Sequence, residues 1–171
     1  MKRIILDTSV YGKLIEETRV TEILAKKIPS EFVVYGSEII RKELRETPKH
    51  ERFAGRKKRI LLLNLYSTFI RKDHHELKQN KLIETLAKDY YTEYRKAGGS
   101  ISGKKMKNDL LIIAIATIHQ LDIIVSDDER TMFSISAVKA YAKVNRAYGL
   151  KDPVFKTYRR FASELQEDFP L

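Results

Sequence analysis

The sequence has 171 residues, enough for one compact domain with a sizeable core, and its 43% share of hydrophobic residues argues against an intrinsically disordered chain. It contains no cysteine, which excludes disulfides, thiolate metal sites and cysteine nucleophiles. Lysine and arginine total 33 against 23 acidic residues, and the net charge of +10 is typical of a protein with an anionic partner, nucleic acid first and a membrane surface next, but also of a merely solubilising surface.

Apolar patterns and capping residues predict an alternation of strands and helices. In chain order the pattern predicts a strand at 2–6, two helices between 10 and 28, a strand at 32–35, and helices at 38–46, 60–70 and 73–97. A helix opened by Asn108-Asp109 and running to about 119, a strand at 123–125, and helices at 135–148 and 155–165 follow. This order indicates a short parallel sheet in a three-layer α/β/α sandwich, with an extended helical C-terminal tail.

We expect residues 1–171 to form a single domain, with a catalytic core at about 1–130 and a helical extension at about 135–171. The apolar start of the chain is interrupted at Asp7 after three apolar residues, too few for a signal peptide. The longest apolar run, 110–116, is too short to span a bilayer. A soluble, cytoplasmic protein with no membrane partner is therefore predicted.

Acidic residues stand where the predicted α/β units begin and end. Asp7 follows the first strand, and the pair Asp127-Asp128 follows the third, at the edge of a parallel sheet where ligand sites form. Glu43 lies on the helix after the second strand. Asp109 is expected in the first turn of its helix, where the helix dipole favours a negative charge. The sequence therefore predicts that these carboxylates converge at one end of the sheet.

Such a cluster suits a hard divalent cation. Mg²⁺ and Mn²⁺ prefer oxygen ligands, and several carboxylates packed together repel one another unless a counter-charge is present. With a basic surface for the substrate, the site fits metal-assisted hydrolysis of a phosphodiester. Each residue also has a purely structural interpretation: a helix cap for Asp7, a solvated helix face for Glu43, a dipole partner for Asp109 and a turn for 127–128. Only the ordered set points to catalysis.

Four short segments of the chain contain these acids, at residues 4–10 (IILDTSV), 37–44 (SEIIRKEL), 108–114 (NDLLIIA) and 124–128 (IVSDD). In content and in order they resemble the motifs of the PIN-domain family, especially its VapC-type toxins and their archaeal relatives. The first ends a strand in Asp-Thr-Ser, and the second leads from a serine to a glutamate. The third places an aspartate at an apolar helix, and the fourth follows a strand with Ser-x-Asp.

The resemblance implies an α/β/α sandwich, a Mg²⁺ or Mn²⁺ site, and endonucleolytic cleavage of single-stranded RNA to 5′-phosphate and 3′-hydroxyl ends. It places catalytic roles on Asp7, Glu43, Asp109 and Asp128. Metal ligands would be Asp7, Asp109 and Asp128, with the adjacent Asp127 as the competing candidate for the fourth acid. Ser9, Ser126 and Asn108 would support the site.

The sequence also departs from the family's pattern. Arg130 stands where some members have a further acid, which leaves open whether one or two metal ions bind. It also keeps open an alternative, a non-catalytic or weakly catalytic RNA-binding or regulatory module. The 65 residues between Glu43 and Asp109 are more than a compact toxin needs. A toxin paired with a cognate antitoxin, a housekeeping nuclease and a homodimer all remain open, as does the RNA target.

Basic residues near the acidic positions are the candidates for RNA contacts. They lie in the segment 41–59 and after the glycine-rich stretch 98–103, and comprise Arg41, Lys42, Arg45, Arg56, Lys57, Lys58, Lys104, Lys105 and Lys107. The glycine-rich stretch is not a Walker A loop, because Lys105 stands where Ser or Thr is needed and a helix precedes it. Tyr90, Tyr91 and Tyr94 can stack on bases, but a place in the core is the favoured interpretation.

Overall fold

The structure, a computed structural model, describes residues 1–168. Its centre is a parallel sheet of five strands in the order β5-β2-β1-β6-β7. The strands are β1 (Lys2–Leu6), β2 (Phe32–Ser37), β5 (Glu76–Leu77), β6 (Ile123–Ser126) and β7 (Val154–Thr157). Two further strands, β3 (Arg52–Phe53) and β4 (Arg56–Lys57), form a separate antiparallel hairpin.

Helices cover both faces of the sheet. They are α1 (Thr8–Glu16), α2 (Thr18–Lys27), α3 (Glu38–Glu46), α4 (Lys58–Phe69), α5 (Lys81–Lys96), α6 (Gly103–Ile118), α7 (Ile135–Tyr148) and α8 (Tyr158–Glu167). Right-handed crossovers place α1 to α4 on one face and α5 to α7 on the other. The helix contacts agree, because α1 packs on α2, α3 and α4, while α5 packs on α6 and α7 and α8 packs on α2. The predicted three-layer α/β/α sandwich is confirmed.

The apolar sequence of the central elements explains where they lie. In β1 the consecutive residues Ile4, Ile5 and Leu6 are all fully buried, as expected for a parallel strand that is covered on both faces. In α6 every residue from Leu110 to Thr117 is buried, so the C-terminal part of this helix is surrounded by protein. Asp7 directly follows the buried strand, and Asp109 directly precedes the buried part of the helix.

Several of the sequence-based predictions need correction. The helix expected to open at Asn108-Asp109 begins earlier, at Gly103. The helix expected at 73–97 begins only at Lys81, because a 3₁₀ turn (Asp73–His75) and β5 precede it. The polar segment at 49–59 contains the β3–β4 hairpin. The tail is not purely helical, since β7 pairs with β6 in parallel and extends the sheet. The final positions of the predicted domain, 169–171, lie outside the described residues.

The strand order creates a position for a ligand. From β1 the chain moves through α1 and α2 to β2 on one side, and from β6 it moves through α7 to β7 on the other. The carboxyl ends of the adjacent strands β1 and β6 are therefore a point where the direction of winding reverses, and ligands of open α/β sheets bind in such crevices. Asp7 follows β1 here, and 127–128 follow β6.

None of the helices within residues 1–168 is long and apolar enough to cross a membrane.

Candidate active site

Asp7 lies between β1 and α1 and is only 5% exposed. Its Oδ2 accepts hydrogen bonds from the hydroxyls of Ser9, at 2.8 Å, and Ser126, at 3.0 Å. Asp7 is also the N-cap residue of α1, and the backbone N–H groups of Thr8 and Ser9 favour its charged form, so a helix cap and a place in the site are compatible. Burial raises the pKa of Asp7, and the two hydroxyls oppose that rise. The structure therefore places both predicted supporting serines on this carboxylate.

The two serines are themselves fixed by the chain that follows β6. Ser9 Oγ accepts the backbone N–H of Asp127 at 3.0 Å, and Ser126 Oγ accepts the N–H of Asp128 at 3.0 Å. Each hydroxyl accepts one hydrogen bond from the backbone and is thereby free to donate its hydrogen to Asp7. These contacts join the ends of β1 and β6 through polar atoms and hold Asp7 in one orientation.

Glu43 reaches the same place from the second turn of α3. Its carboxylate accepts a hydrogen bond from Asn108 Nδ2, at 2.7 Å, and another from Thr8 Oγ1. Burial is the largest cause of its raised pKa, and a solvated helix face is therefore the wrong description of its surroundings. Asn108 thus contacts the carboxylate of Glu43, whereas no local pattern in the sequence pairs Thr8 with a residue 35 positions away.

Asp109 lies at the centre of the acidic group. It is the seventh residue of α6, so the expectation that it occupies the first turn is wrong and the helix dipole is not its main partner. Burial is the largest cause of its raised pKa, which reaches about 8, and the carboxylates of Asp7, Asp128 and Glu43 raise it further. The neighbouring charges that act on Asp109 are all negative, and this shows that the four predicted catalytic acids converge.

The adjacent acids Asp127 and Asp128 point in different directions. Asp128 Oδ1 accepts the backbone N–H groups of Arg130, at 3.1 Å, and Thr131, at 2.8 Å, and its charge acts on Asp109. Asp127 is exposed, and its Oδ2 lies 3.6 Å from Lys13 Nζ. The structure thus brings Asp128 into the cluster and leaves Asp127 outside it. The backbone bonds to Asp128 also show that a local turn and membership of the cluster are compatible.

The chemistry of the cluster fits a hard divalent cation. Its donors are carboxylate oxygens, with hydroxyl and amide groups behind them, and this is the ligand type preferred by Mg²⁺ and Mn²⁺. Within residues 1–168, no group of three or more acidic or histidine side chains is arranged to hold a metal ion as it stands. Four carboxylates without a counter-charge repel one another, and Asp109 responds by favouring its protonated form.

The predicted RNA-binding residues are placed unevenly. Arg41 forms a salt bridge with Glu76 and lies over the ring of Tyr66, so it belongs to a structural cluster beside the site. Lys58 pairs with Glu51 at 3.4 Å. Lys42 and Lys107 line the cleft that contains Glu43 and Asn108. The other five candidates are exposed, and they are Arg45, Arg56, Lys57, Lys104 and Lys105. Lys104 and Lys105 lie in the first turn of α6.

The fold and the site define a class of protein, an α/β domain with a buried acidic cluster where β1 and β6 end. The model of the PIN domain family matches residues 4–139, and the chain belongs to that family, whose members are generally nucleases. This confirms the resemblance seen in the four sequence segments. No curated protein sequence matches the chain significantly.

Several solved structures share the fold. FitAB bound to an IR36 DNA fragment is 17% identical, with a TM-score of 0.59 over 91% of this chain and 94% of that one. VapBC-1 from nontypeable Haemophilus influenzae is 14% identical, with a TM-score of 0.58 over 92% of this chain and 98% of that one. DNA-bound VapBC from Salmonella typhimurium is 14% identical, with a TM-score of 0.59 over 92% and 99%. At these identities the likeness demonstrates the shared fold.

Proposed function

We propose that this protein is a Mg²⁺- or Mn²⁺-dependent endoribonuclease that hydrolyses phosphodiester bonds of single-stranded RNA. The observation that carries the proposal is the position of Asp109, a largely buried acid whose charged neighbours Asp7, Asp128 and Glu43 are all negative. Burying like charges together opposes folding unless a bound cation or protonation of one of the acids compensates. The carboxyl ends of β1 and β6 are also where an α/β sheet receives its ligands.

In this proposal Asp7, Asp109 and Asp128 hold the cation as ligands, and Glu43 contributes to holding it without contacting it directly. A bound divalent ion would neutralise the cluster, lower the pKa of a bound water and stabilise charge on the scissile phosphate. Ser9 and Ser126 keep Asp7 oriented toward the cluster. Asp127 is omitted from the proposed ligands because its carboxylate faces Lys13.

Glu43 is the proposed proton acceptor for the attacking water. Its carboxylate is held between Thr8 and Asn108, which fixes it at the edge of the cluster. Burial raises its pKa above the usual value for a glutamate, and this makes it a stronger base than an exposed glutamate. The hydrogen bonds from Thr8 and Asn108 oppose that rise and favour the charged form, which is the form that accepts a proton.

RNA as the substrate is supported by the net charge of +10 and by Lys42 and Lys107 beside Glu43. The products in this proposal carry 5′-phosphate and 3′-hydroxyl ends. We also propose that the chain acts in the cytoplasm as the toxin of a toxin-antitoxin pair, restrained by a small cognate antitoxin. The support for that role is the resemblance to VapC-type toxins together with the shared fold of the VapBC structures.

The test is cleavage of a labelled single-stranded RNA in Mn²⁺ and in EDTA, with the Asp109→Asn variant alongside. Cleavage that requires both the metal and Asp109 would support the nuclease. RNA that is bound equally in Mn²⁺ and EDTA but is never cut would favour the RNA-binding module. That second candidate draws on Arg130 and on the lack of a ready-made metal-binding group within residues 1–168.

A further inference from the structure

A groove runs away from Glu43 between α5 and α6. One end is the cleft that holds Glu43 and Asn108, and the other end is lined by Tyr91 and Gly103. The two parts share Lys107 in their lining, together with Gln79 and Leu111, so they are continuous. The outer part has a volume of about 520 Å³, which is within the range of small-molecule sites.

Helix α6 connects this groove to the acidic cluster. An α-helix turns by about 100° per residue, so consecutive side chains point to successive positions around its axis. Asp109 faces the other carboxylates, Asn108 contacts Glu43, and Lys107 lines the groove. Lys107 and Asp109 are about 200° apart around the helix axis, so the groove and the acidic cluster lie on different faces of α6. Asn108 and Glu43 lie between them, and a strand whose phosphate lies at the cluster would pass these two residues before it reached Lys107.

The floor of the outer groove is apolar. It consists of Ala87 from α5 and Leu110 and Leu111 from α6, which are between 3% and 6% exposed. Charged side chains lie at the rim, where Lys88 and Lys107 outnumber Glu84. An apolar floor with a positively charged rim matches a nucleotide, which presents a flat base on one side and a phosphate on the other.

Tyr91 supplies an aromatic surface that its neighbours do not. Tyr90 and Tyr94 are 0% and 3% exposed and belong to the core, as the sequence favoured. Tyr91 is only partly buried and lines the groove. Its hydroxyl donates to the carbonyl of Ile101 at 3.3 Å, and a Cβ at Gly103 would lie 3.2 Å from its ring. The ring is therefore held near its hydroxyl end, which reduces the freedom that it would lose on stacking.

We infer that this groove is a nucleobase-binding subsite: a base of single-stranded RNA next to the cleaved phosphate stacks on Tyr91, and the connecting phosphate contacts Lys107. The inference rests on the proposed function, because it assigns the groove to the same substrate. An apolar side chain of a partner protein is the competing occupant. RNA is favoured because the inner part of the groove reaches Glu43, a member of the acidic cluster, and because Lys88 and Lys107 outnumber Glu84 in the outer part.

The test measures binding separately from cleavage. A fluorescent single-stranded RNA and a series in which each base in turn is replaced by an abasic site are titrated in EDTA at low salt, and the affinity is read by anisotropy. With the unmodified protein, one abasic position is expected to weaken binding by roughly 5- to 150-fold, the effect of one base–aromatic stack. In Tyr91→Ala the same position should no longer matter.

Two controls isolate the ring. Tyr91→Phe keeps the ring and should retain the abasic profile, and Tyr148→Ala removes an exposed tyrosine from α7 and should also leave it unchanged. The abasic series on the unmodified protein does not depend on how any variant folds. A flat series, or an unchanged profile in Tyr91→Ala, would overturn the subsite and leave the groove to a protein partner. Tyr91-dependent binding without cleavage in Mn²⁺ would contradict only the nuclease.

Discussion

Two groups of charged side chains lie close together at the carboxyl edge of the sheet, and only one of them is electrostatically balanced. In the first, Arg41 Nε donates to Glu76 Oε2 at 2.6 Å, and the hydroxyl of Tyr66 donates to the same oxygen at 2.9 Å. The guanidinium also lies 5.1 Å from the centre of the Tyr66 ring. Each charge in this group has a partner, and the group joins α3, α4 and β5.

The second group consists of Asp7, Glu43, Asp109 and Asp128. All the charges that act on Asp109 in this group are negative. The balanced group contributes to the fold, whereas the acidic group opposes folding until something positive binds. The two groups show how a structural acid differs from a functional one even when they are close together. The structural acid has a positively charged partner, whereas the functional acids have only negatively charged neighbours. Substitutions in the acidic group should therefore reduce activity without reducing stability, and substitutions in the balanced group should do the reverse.

The largest expected effect is the loss of cleavage in Asp7→Asn and in Asp109→Asn. Each change removes a charge that the cation requires, so the cleavage rate should fall by roughly 10²-fold or more. The folded structure should persist, because an amide oxygen can still accept the hydrogen bonds from Ser9 and Ser126. The rate is measured with labelled RNA in Mn²⁺, and the fold by circular dichroism. Near-normal cleavage by both variants would contradict the proposed site.

A matched pair of neighbours gives the second prediction. Asp128→Asn should lower cleavage by at least about 10-fold, because this carboxylate acts on Asp109. Asp127→Asn should change the rate by less than about 2-fold, because the exposed pair with Lys13 contributes little. Both variants are compared in one cleavage assay. A larger loss in Asp127→Asn would reverse the assignment made from the structure.

Thr8 should act as a positioning residue for Glu43, with a smaller effect. Thr8→Val removes the hydroxyl that holds the carboxylate, and cleavage should fall by about 10-fold. Because that hydrogen bond lowers the pKa of Glu43, its loss should raise the pKa and move the acid side of the pH–rate profile to higher pH. Thr8→Ser restores the hydroxyl and should restore both. A profile that does not move would mean that Thr8 only fills space.

The sequence predicts well where the signals are local. The helices α3 and α7 have the predicted bounds, because Ser37 and Ser134 each accept a backbone N–H at the start and Gly149, with a positive φ of 66°, ends α7. The strand β7 was missed because its four residues, Val154–Thr157, include lysine and threonine and lack a buried apolar run. Pairing with β6 decides its structure, and such pairing is invisible along the chain.

The same limit applies to the site. The acids Asp7, Glu43, Asp109 and Asp128 are predicted because each belongs to a recognisable local segment. The choice between Asp127 and Asp128 needed the position of Lys13, which depends on how α1 packs beside β6. Contacts between distant parts of the chain are set by tertiary packing, which a single sequence does not display.

The balanced group should show its effect in stability. Glu76→Gln leaves the guanidinium of Arg41 without its anionic partner, and the free energy of unfolding should fall by about 1–2 kcal/mol, since both side chains are partly exposed. The melting temperature should then drop by roughly 2–8 °C, measured by circular dichroism. Cleavage below that temperature should stay near normal. An unchanged melting temperature, or a selective loss of cleavage, would remove the contrast between the two groups.

The smallest effect is a gain of stability in Asp109→Asn, and pH decides when it appears. The pKa of Asp109 is raised to about 8 in the folded protein, so the folded state keeps a proton that the unfolded state releases above its ordinary pKa of 3.8. The metal-free wild type should therefore lose stability as pH rises from about 4 to about 8, and Asp109→Asn should lose less stability over the same range. Thermal melts in EDTA should show the variant roughly 2–4 °C more stable at pH 8.5 and equal to the wild type near pH 4, if about 1 kcal/mol is recovered.

Manganese should reverse that order. A cation held by the carboxylates stabilises the folded state of the wild type, whereas Asp109→Asn has lost one of the proposed ligands. Adding Mn²⁺ at pH 8.5 should therefore raise the melting temperature of the wild type more than that of the variant. The same difference in melting temperature between the two proteins at every pH, with and without Mn²⁺, would mean that Asp109 neither bears the repulsion of its neighbours nor binds the metal. The acidic group would then have to be explained as part of the fold.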